Sequence, residues 1–173
     1  MLGLVNKAFT KEDESLEPAL VPPRASLPAG TPNYVTARGL ELLQAELSRL
    51  DDERAKVDRT IKPEECAIQL GRLAAQRNAL EERIAAATLV DVAKQPRNEV
   101  RFGASVDVRT AAGKLRTYRI VGVDEAEPTA GLVAFVSPLA RALLGRNVGE
   151  IVTVRTPRGE DELEVVCIVY GPP

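Results

Sequence analysis

Thr36-Ala-Arg-Gly-Leu-Glu-Leu-Leu-Gln-Ala-Glu-Leu-Ser-Arg-Leu50 opens a run in which leucines fall at 40, 43, 47 and 50. Steps of three and four keep these side chains on one face of a helix. Val57 and Ile61 extend the series, with Arg54 as its interruption. After Lys62-Pro63 a second series runs Cys66, Leu70, Leu73, Leu80, Ile84 and Ala87, interrupted by Arg77. This is a heptad pattern in two arms. Thr36 is suited to cap the first helix. Pro63 disfavours helical geometry at Lys62 but fits the first turn of a new helix, where Glu64 and Glu65 face the positive end of the helix dipole. A break this short turns the arms antiparallel. Pairing them about it sets Leu50 beside Arg77 and Arg54 beside Leu73, so both arginines enter the seam and extend their charged heads to Asp51 or Glu81 on its rim. Arms of about 25 residues make a projecting finger roughly 38 Å long.

C-terminal to this finger the periodicity changes to two. Ser105–Arg109, Thr117–Val121, Leu132–Val136, Ile151–Arg155 and Leu163–Tyr170 each read as strands. Ala112-Gly113, the acidic run from Asp124 to Glu127 with Pro128, and Pro157-Arg158-Gly159 supply the turns. One helix interrupts the strands, in Ser137-Pro-Leu-Ala-Arg-Ala-Leu-Leu-Gly145: Ser137 caps it, Pro138 opens it and Gly145 ends it. On the other side, residues 1–33 hold five prolines and the acidic cluster Glu12-Asp13-Glu14. That composition buries too little apolar surface to offset its chain entropy, and predicts a disordered arm. The expected class is therefore α+β. A disordered arm (1–33) precedes an antiparallel two-helix coiled-coil hairpin (34–89) and a small antiparallel sheet domain with one helix (90–173).

Composition removes many chemistries. The 173 residues include no His and only two Cys, Cys66 and Cys167. A Ser/His or Cys/His couple, a His-ligated metal and a CxxC motif are excluded. Lys and Arg number 23 against 25 Asp and Glu, a net charge of -2, which argues against grip on duplex DNA by phosphate neutralisation. No apolar run approaches the roughly 18 residues of a membrane span. The first residues are too acidic and too briefly apolar for a secretory signal, so the expected location is cytoplasmic.

Several motifs in register carry a family likeness. Asn33-Tyr-Val-Thr-Ala-Arg-Gly-Leu, Phe102-Gly-Ala-Ser-Val, Tyr118-Arg-Ile-Val-Gly-Val-Asp-Glu-Ala, Ser137-Pro-Leu-Ala-Arg-Ala-Leu-Leu-Gly-Arg-Asn-Val-Gly-Glu and Thr156-Pro-Arg-Gly-Glu resemble the bacterial GreA/GreB transcript-cleavage factors, the first with a GreB flavour. The likeness extends over about residues 33–171. It implies an FKBP-like fold for the C-terminal domain, which binds RNA polymerase at the rim of the secondary channel, and a finger that enters that channel. The implied contacts with RNA and DNA are indirect, through the elongation complex, with no membrane partner and a monomeric chain.

In that family a Gly-Asp-x-x-Glu-Asn type loop at the tip supplies acids that help hold the polymerase's second catalytic magnesium, which activates water for RNA hydrolysis. No such loop lies between residues 36 and 88. The tip reads Asp58-Arg-Thr-Ile-Lys-Pro-Glu-Glu-Cys, and each arm is about one heptad shorter, roughly 10 Å less reach. Asp58, Glu64 and Glu65 are the acids left to support a metal there. The resemblance implies no cofactor or metal of the chain's own, at most a magnesium shared with RNA polymerase. For polymerase contact it points to Ser137, Pro138, Leu139 and Arg141, with Asp124 and Glu125 as acids facing a basic partner. The expected function is a non-enzymatic elongation regulator acting by channel occupancy. Its alternatives are an active cleavage factor using Glu64 and Glu65, and a stand-alone peptide-binding or prolyl isomerase module, for which 3% aromatic residues is poor pocket material.

Overall fold

The computed structural model describes residues 24–57, 62–156 and 159–171. Strand β1 (Asn33–Val35) leads into helix α1 (Ala37–Ala55); helix α2 (Pro63–Ala85) follows, and strand β2 (Ala87–Leu89) leaves it. The remainder comprises β3 (Ser105–Thr110), β4 (Leu115–Val121), β5 (Leu132–Ala134), helix α3 (Pro138–Leu143), β6 (Ile151–Thr156) and β7 (Gly159–Val169). The protein is α+β, as its two periodicities predict.

α1 and α2 bury one face against each other. Leu43, Leu50, Leu73 and Leu80 form that core with Val35, and Leu40, Leu47, Val57, Ile84 and Ala87 pack at its edges. Arg77 behaves as its place in the seam requires: Nε donates to Asp51 at 2.9 Å and Nη1 to Glu81 at 2.8 Å, over a partly buried stem. Arg54 does not enter the seam. It is exposed in the last turn of α1, where a cation suits the negative end of the helix dipole. At 19 and 23 residues the helices are shorter than the expected arms, about 28 and 34 Å.

β1 and β2 pair in parallel, Asn33 opposite Ala87 and Val35 opposite Leu89. They join the entrance of α1 to the exit of α2. Three-residue strands carry too little periodicity to be read from sequence, and this pair is absent from the expected elements. Residues 24–33, expected within a structureless arm, instead make defined contacts. Leu27 packs against the sheet core, and Arg24 bridges Glu46 and Asp124. Residues 1–23 lie outside the described residues.

The five-stranded sheet has the order β5-β4-β3-β7-β6. It is not wholly antiparallel: β5 runs parallel to β4, with Arg119 opposite Leu132. The chain from Val121 to Leu132 makes a full return through a 3₁₀ turn at Pro128–Ala130 rather than a hairpin. Val106, Val108, Ile120 and Val165 line the buried face, covered by Ala140 and Leu143 of α3. The rings of Tyr34, Phe102 and Phe135 meet at 5.6–5.8 Å.

Tyr170 closes the end of the sheet domain. Its hydroxyl donates to the Glu99 carbonyl at 2.6 Å and accepts the Arg101 N–H at 2.7 Å. Burial pushes the phenol up from its ordinary value of 10.0, opposed by the Arg101 bond. The folded state thus favours the neutral phenol: its contribution is whole below that value and is lost as pH rises through the higher folded one. Tyr170→Phe is expected to cost about 1 kcal/mol at neutral pH. It should also flatten the alkaline fall in stability, which urea unfolding at pH 7 and above pH 10 measures.

Candidate functional site

The tip of the helix pair lies at Lys62-Pro63-Glu64-Glu65. Pro63 occupies the first turn of α2, Lys62 precedes it in extended geometry (ψ 137°), and both glutamates sit exposed in that turn. Adjacent helical residues leave the axis about 100° apart. Lys62 Nζ lies 3.9 Å from Glu65 and offsets its charge. Among the described residues, no three Asp, Glu, Cys or His side chains gather where they could hold a metal ion. Asp58 lies outside the described residues.

The second candidate surface is α3. Ser137 Oγ accepts the Ala140 N–H at 3.2 Å, capping the helix as its sequence predicts. Ala140 and Leu143 are fully buried, Leu139 is half-buried, and Pro138 and Arg141 face outward. Arg141 has no ion pair among the described residues. In the loop that follows, Asn147 hydrogen bonds, aided by Arg146, hold the Glu150 carboxylate below its ordinary range. The result is an anchored helix presenting a proline and a free guanidinium.

Asp124 and Glu125 do not belong with that surface. Expected to face a basic partner, they turn inward and join the sheet domain to the helix pair. Glu125 is only 6% exposed, and its Oε2 accepts the Thr36 hydroxyl proton at 2.5 Å. Thr36 Oγ1 in turn accepts the Gly39 N–H at 2.9 Å, closing the N-cap of α1. Asp124 accepts Arg83 Nε at 2.8 Å from the last turn of α2, and lies 3.5 Å from Arg24 Nη1. Arg24 also pairs with Glu46, and the Glu46 hydrogen bond raises the Arg24 pKa against the opposing effect of burial. Arg83 reaches the Ala25 carbonyl with its other nitrogen.

Sequence reasoning missed Gly39, Arg83 and Tyr34 at this joint. A glycine in the first turn of a helix was the available signal, since it lowers helix propensity without serving a turn. In β1, alternate residues face different cores: Tyr34 packs on the sheet domain and Val35 in the helix pair.

Residues 95–170 match the family model described as transcription elongation factor, GreA/GreB, C-terminal. The chain is 37% identical over 157 residues to transcription elongation factor GreA of Alkalilimnicola ehrlichii, across 79% of this chain and 97% of that one. It is 31% identical over 150 residues to transcription elongation factor GreA of Desulfovibrio desulfuricans, across 79% and 93%. Among solved structures it is similar to GreA factor homolog 1 of Thermus thermophilus, at 22% identity over 80% of this chain and 99% of that one, with a TM-score of 0.39. No helix among the described residues is long and apolar enough to cross a membrane.

Proposed function

The chain belongs to the GreA/GreB family of transcription elongation factors, and from that premise we propose that it binds RNA polymerase at the rim of the secondary channel. The sheet domain, FKBP-like in this reading, docks through α3, with Ser137 and Leu139 shaping the helix and Pro138 and Arg141 making contact. The helix pair, a coiled-coil finger, enters the channel. It modulates elongation by occupying that channel and competing with other factors for it.

The tip carries this reading. Lys62 stands beside Glu65, and the chain has no Gly-Asp-x-x-Glu-Asn loop. Magnesium binds through one or two carboxylates and keeps several waters, and a lysine beside such a carboxylate weakens its pull on the ion. The chain's own contribution is to fill space near the reacting RNA rather than to act as an enzyme.

A second reading keeps transcript cleavage, with Glu64 or Glu65 supporting a magnesium held mainly by the polymerase. The name GreA on the curated relatives favours it. RNA cleavage in a backtracked elongation complex, at equal polymerase occupancy, separates the two. Occupancy predicts binding with cleavage no faster than polymerase alone. Accelerated cleavage that Glu64→Ala with Glu65→Ala abolishes, binding intact, would replace it with the second reading.

A further inference from the structure

We propose that Glu125, seated between Thr36 and Gly39, is a latch that sets the direction of the helix pair relative to the sheet domain. Glu125 is the one buried charged side chain among the described residues. A buried carboxylate is retained only where its hydrogen bonds and surrounding charge offset its desolvation. Here it meets the Thr36 hydroxyl at the mouth of α1, and the unpaired N–H groups of a helix start favour negative charge.

Gly39 makes the seat. A Cβ at position 39 would stand 2.9 Å from Glu125 Oε2 and 3.4 Å from Thr36 Oγ1. Glycine inside a helix is less favourable than alanine, so α1 carries a local penalty that admits the carboxylate. The neighbouring residue completes the attachment: Asp124 holds Arg83 at the far end of α2. One loop therefore grips the start of one helix and the end of the other. Two points of attachment resist swings that a single one would allow. Gly122 brings the same loop against β1, where a Cβ would lie 2.8 Å from the Tyr34 carbonyl.

Apolar packing at this joint is non-directional, whereas these hydrogen bonds are directional. The aim of the finger thus depends on the latch. Over an α2 about 34 Å long, a 10° swing at the base displaces the tip by about 6 Å. Glu125 and Gly39 are positioning residues, acting on the tip through the joint.

The test is the distance between spin labels at Gln69→Cys on α2 and Lys114→Cys on the sheet domain, in the full chain with Cys66→Ser and Cys167→Ser. The parent and Glu125→Gln, whose amide oxygen still accepts the Thr36 proton, are expected to give the same narrow distribution. Glu125→Ala and Gly39→Ala should shift or broaden it by several ångströms, with helical content unchanged. Gly39→Ala decides against a merely structural role, because helix propensity alone makes it stabilising. Parental distances in both folded variants, or a raised melting temperature for Gly39→Ala with parental distances, would overturn the latch.

The consequence in the elongation complex rests on the polymerase reading above. There the loosened variants should keep their affinity for polymerase and lose their effect on elongation. A parent chain that fails to bind polymerase would defeat that reading and leave the distance result standing.

Discussion

Leu80→Ala is expected to lower the unfolding free energy by about 2–5 kcal/mol. Leu80 is 0% exposed, at the centre of a core holding Leu43, Leu50 and Leu73 from the two helices with Val35 of β1. A core two helices thick has no further layer to close over the void, so the transfer loss and the cavity cost add. Leu42 provides the contrast on the same helix pair: at 46% exposure it lies outside the seam, and Leu42→Ala should stay within about 0.5 kcal/mol. Denaturant unfolding followed by helical circular dichroism measures both. Equal losses at the two positions would mean that the leucine stripe does not hold the pair together.

Arg141→Glu is expected to weaken polymerase binding about tenfold, a change of about 1.4 kcal/mol, without changing stability by more than about 0.5 kcal/mol. Arg141 stands outside α3 on a helix whose other face, Ala140 and Leu143, is fully buried. With no ion pair to lose within the described chain, a stable variant with weaker binding reports a partner's charge rather than a folding defect. Reversal of a charge at the edge of an interface acts mostly on encounter, so the loss should shrink as salt is raised. Titration of labelled protein into polymerase at low and high salt gives the result. Unchanged affinity at low salt would remove the outer face of α3 from the docking surface and move attention elsewhere on the sheet domain.

The elements whose causes are local were legible. Thr36 and Ser137 cap because a short polar side chain reaches an N–H three residues on, and both bonds form at the expected ends. Pro63 starts α2 because its ring and missing N–H suit only a first turn. Arg77 was placed in the seam by pairing the arms about the break, and it reaches both Asp51 and Glu81. Strands β3, β4, β6 and β7 follow from the stretches read at Ser105–Arg109, Thr117–Val121, Ile151–Arg155 and Leu163–Tyr170, with β4 and β7 starting earlier, at Leu115 and Gly159.

What failed was non-local. Asp124 and Glu125 read as partner-facing acids, since nothing within a few residues of them hints at burial. Their partners lie 41 and 89 positions away, in Arg83 and Thr36. β1 and β2 are three residues each and exist only because the antiparallel helices return the chain to its starting point. The parallel entry of β5 depends likewise on how the chain from Val121 folds back over the sheet.

Helix and strand periods, caps and the proline break are written in the order of residues, because each arises from contacts within one or two turns or one pleat. Family membership was legible for a related reason, since motifs in register are also sequence. The inward turn of the acidic loop, and with it the direction of the helix pair, belongs to the tertiary structure alone: the buried Glu125 carboxylate is tolerable only after the distant hydroxyl and helix start that compensate it have been brought together.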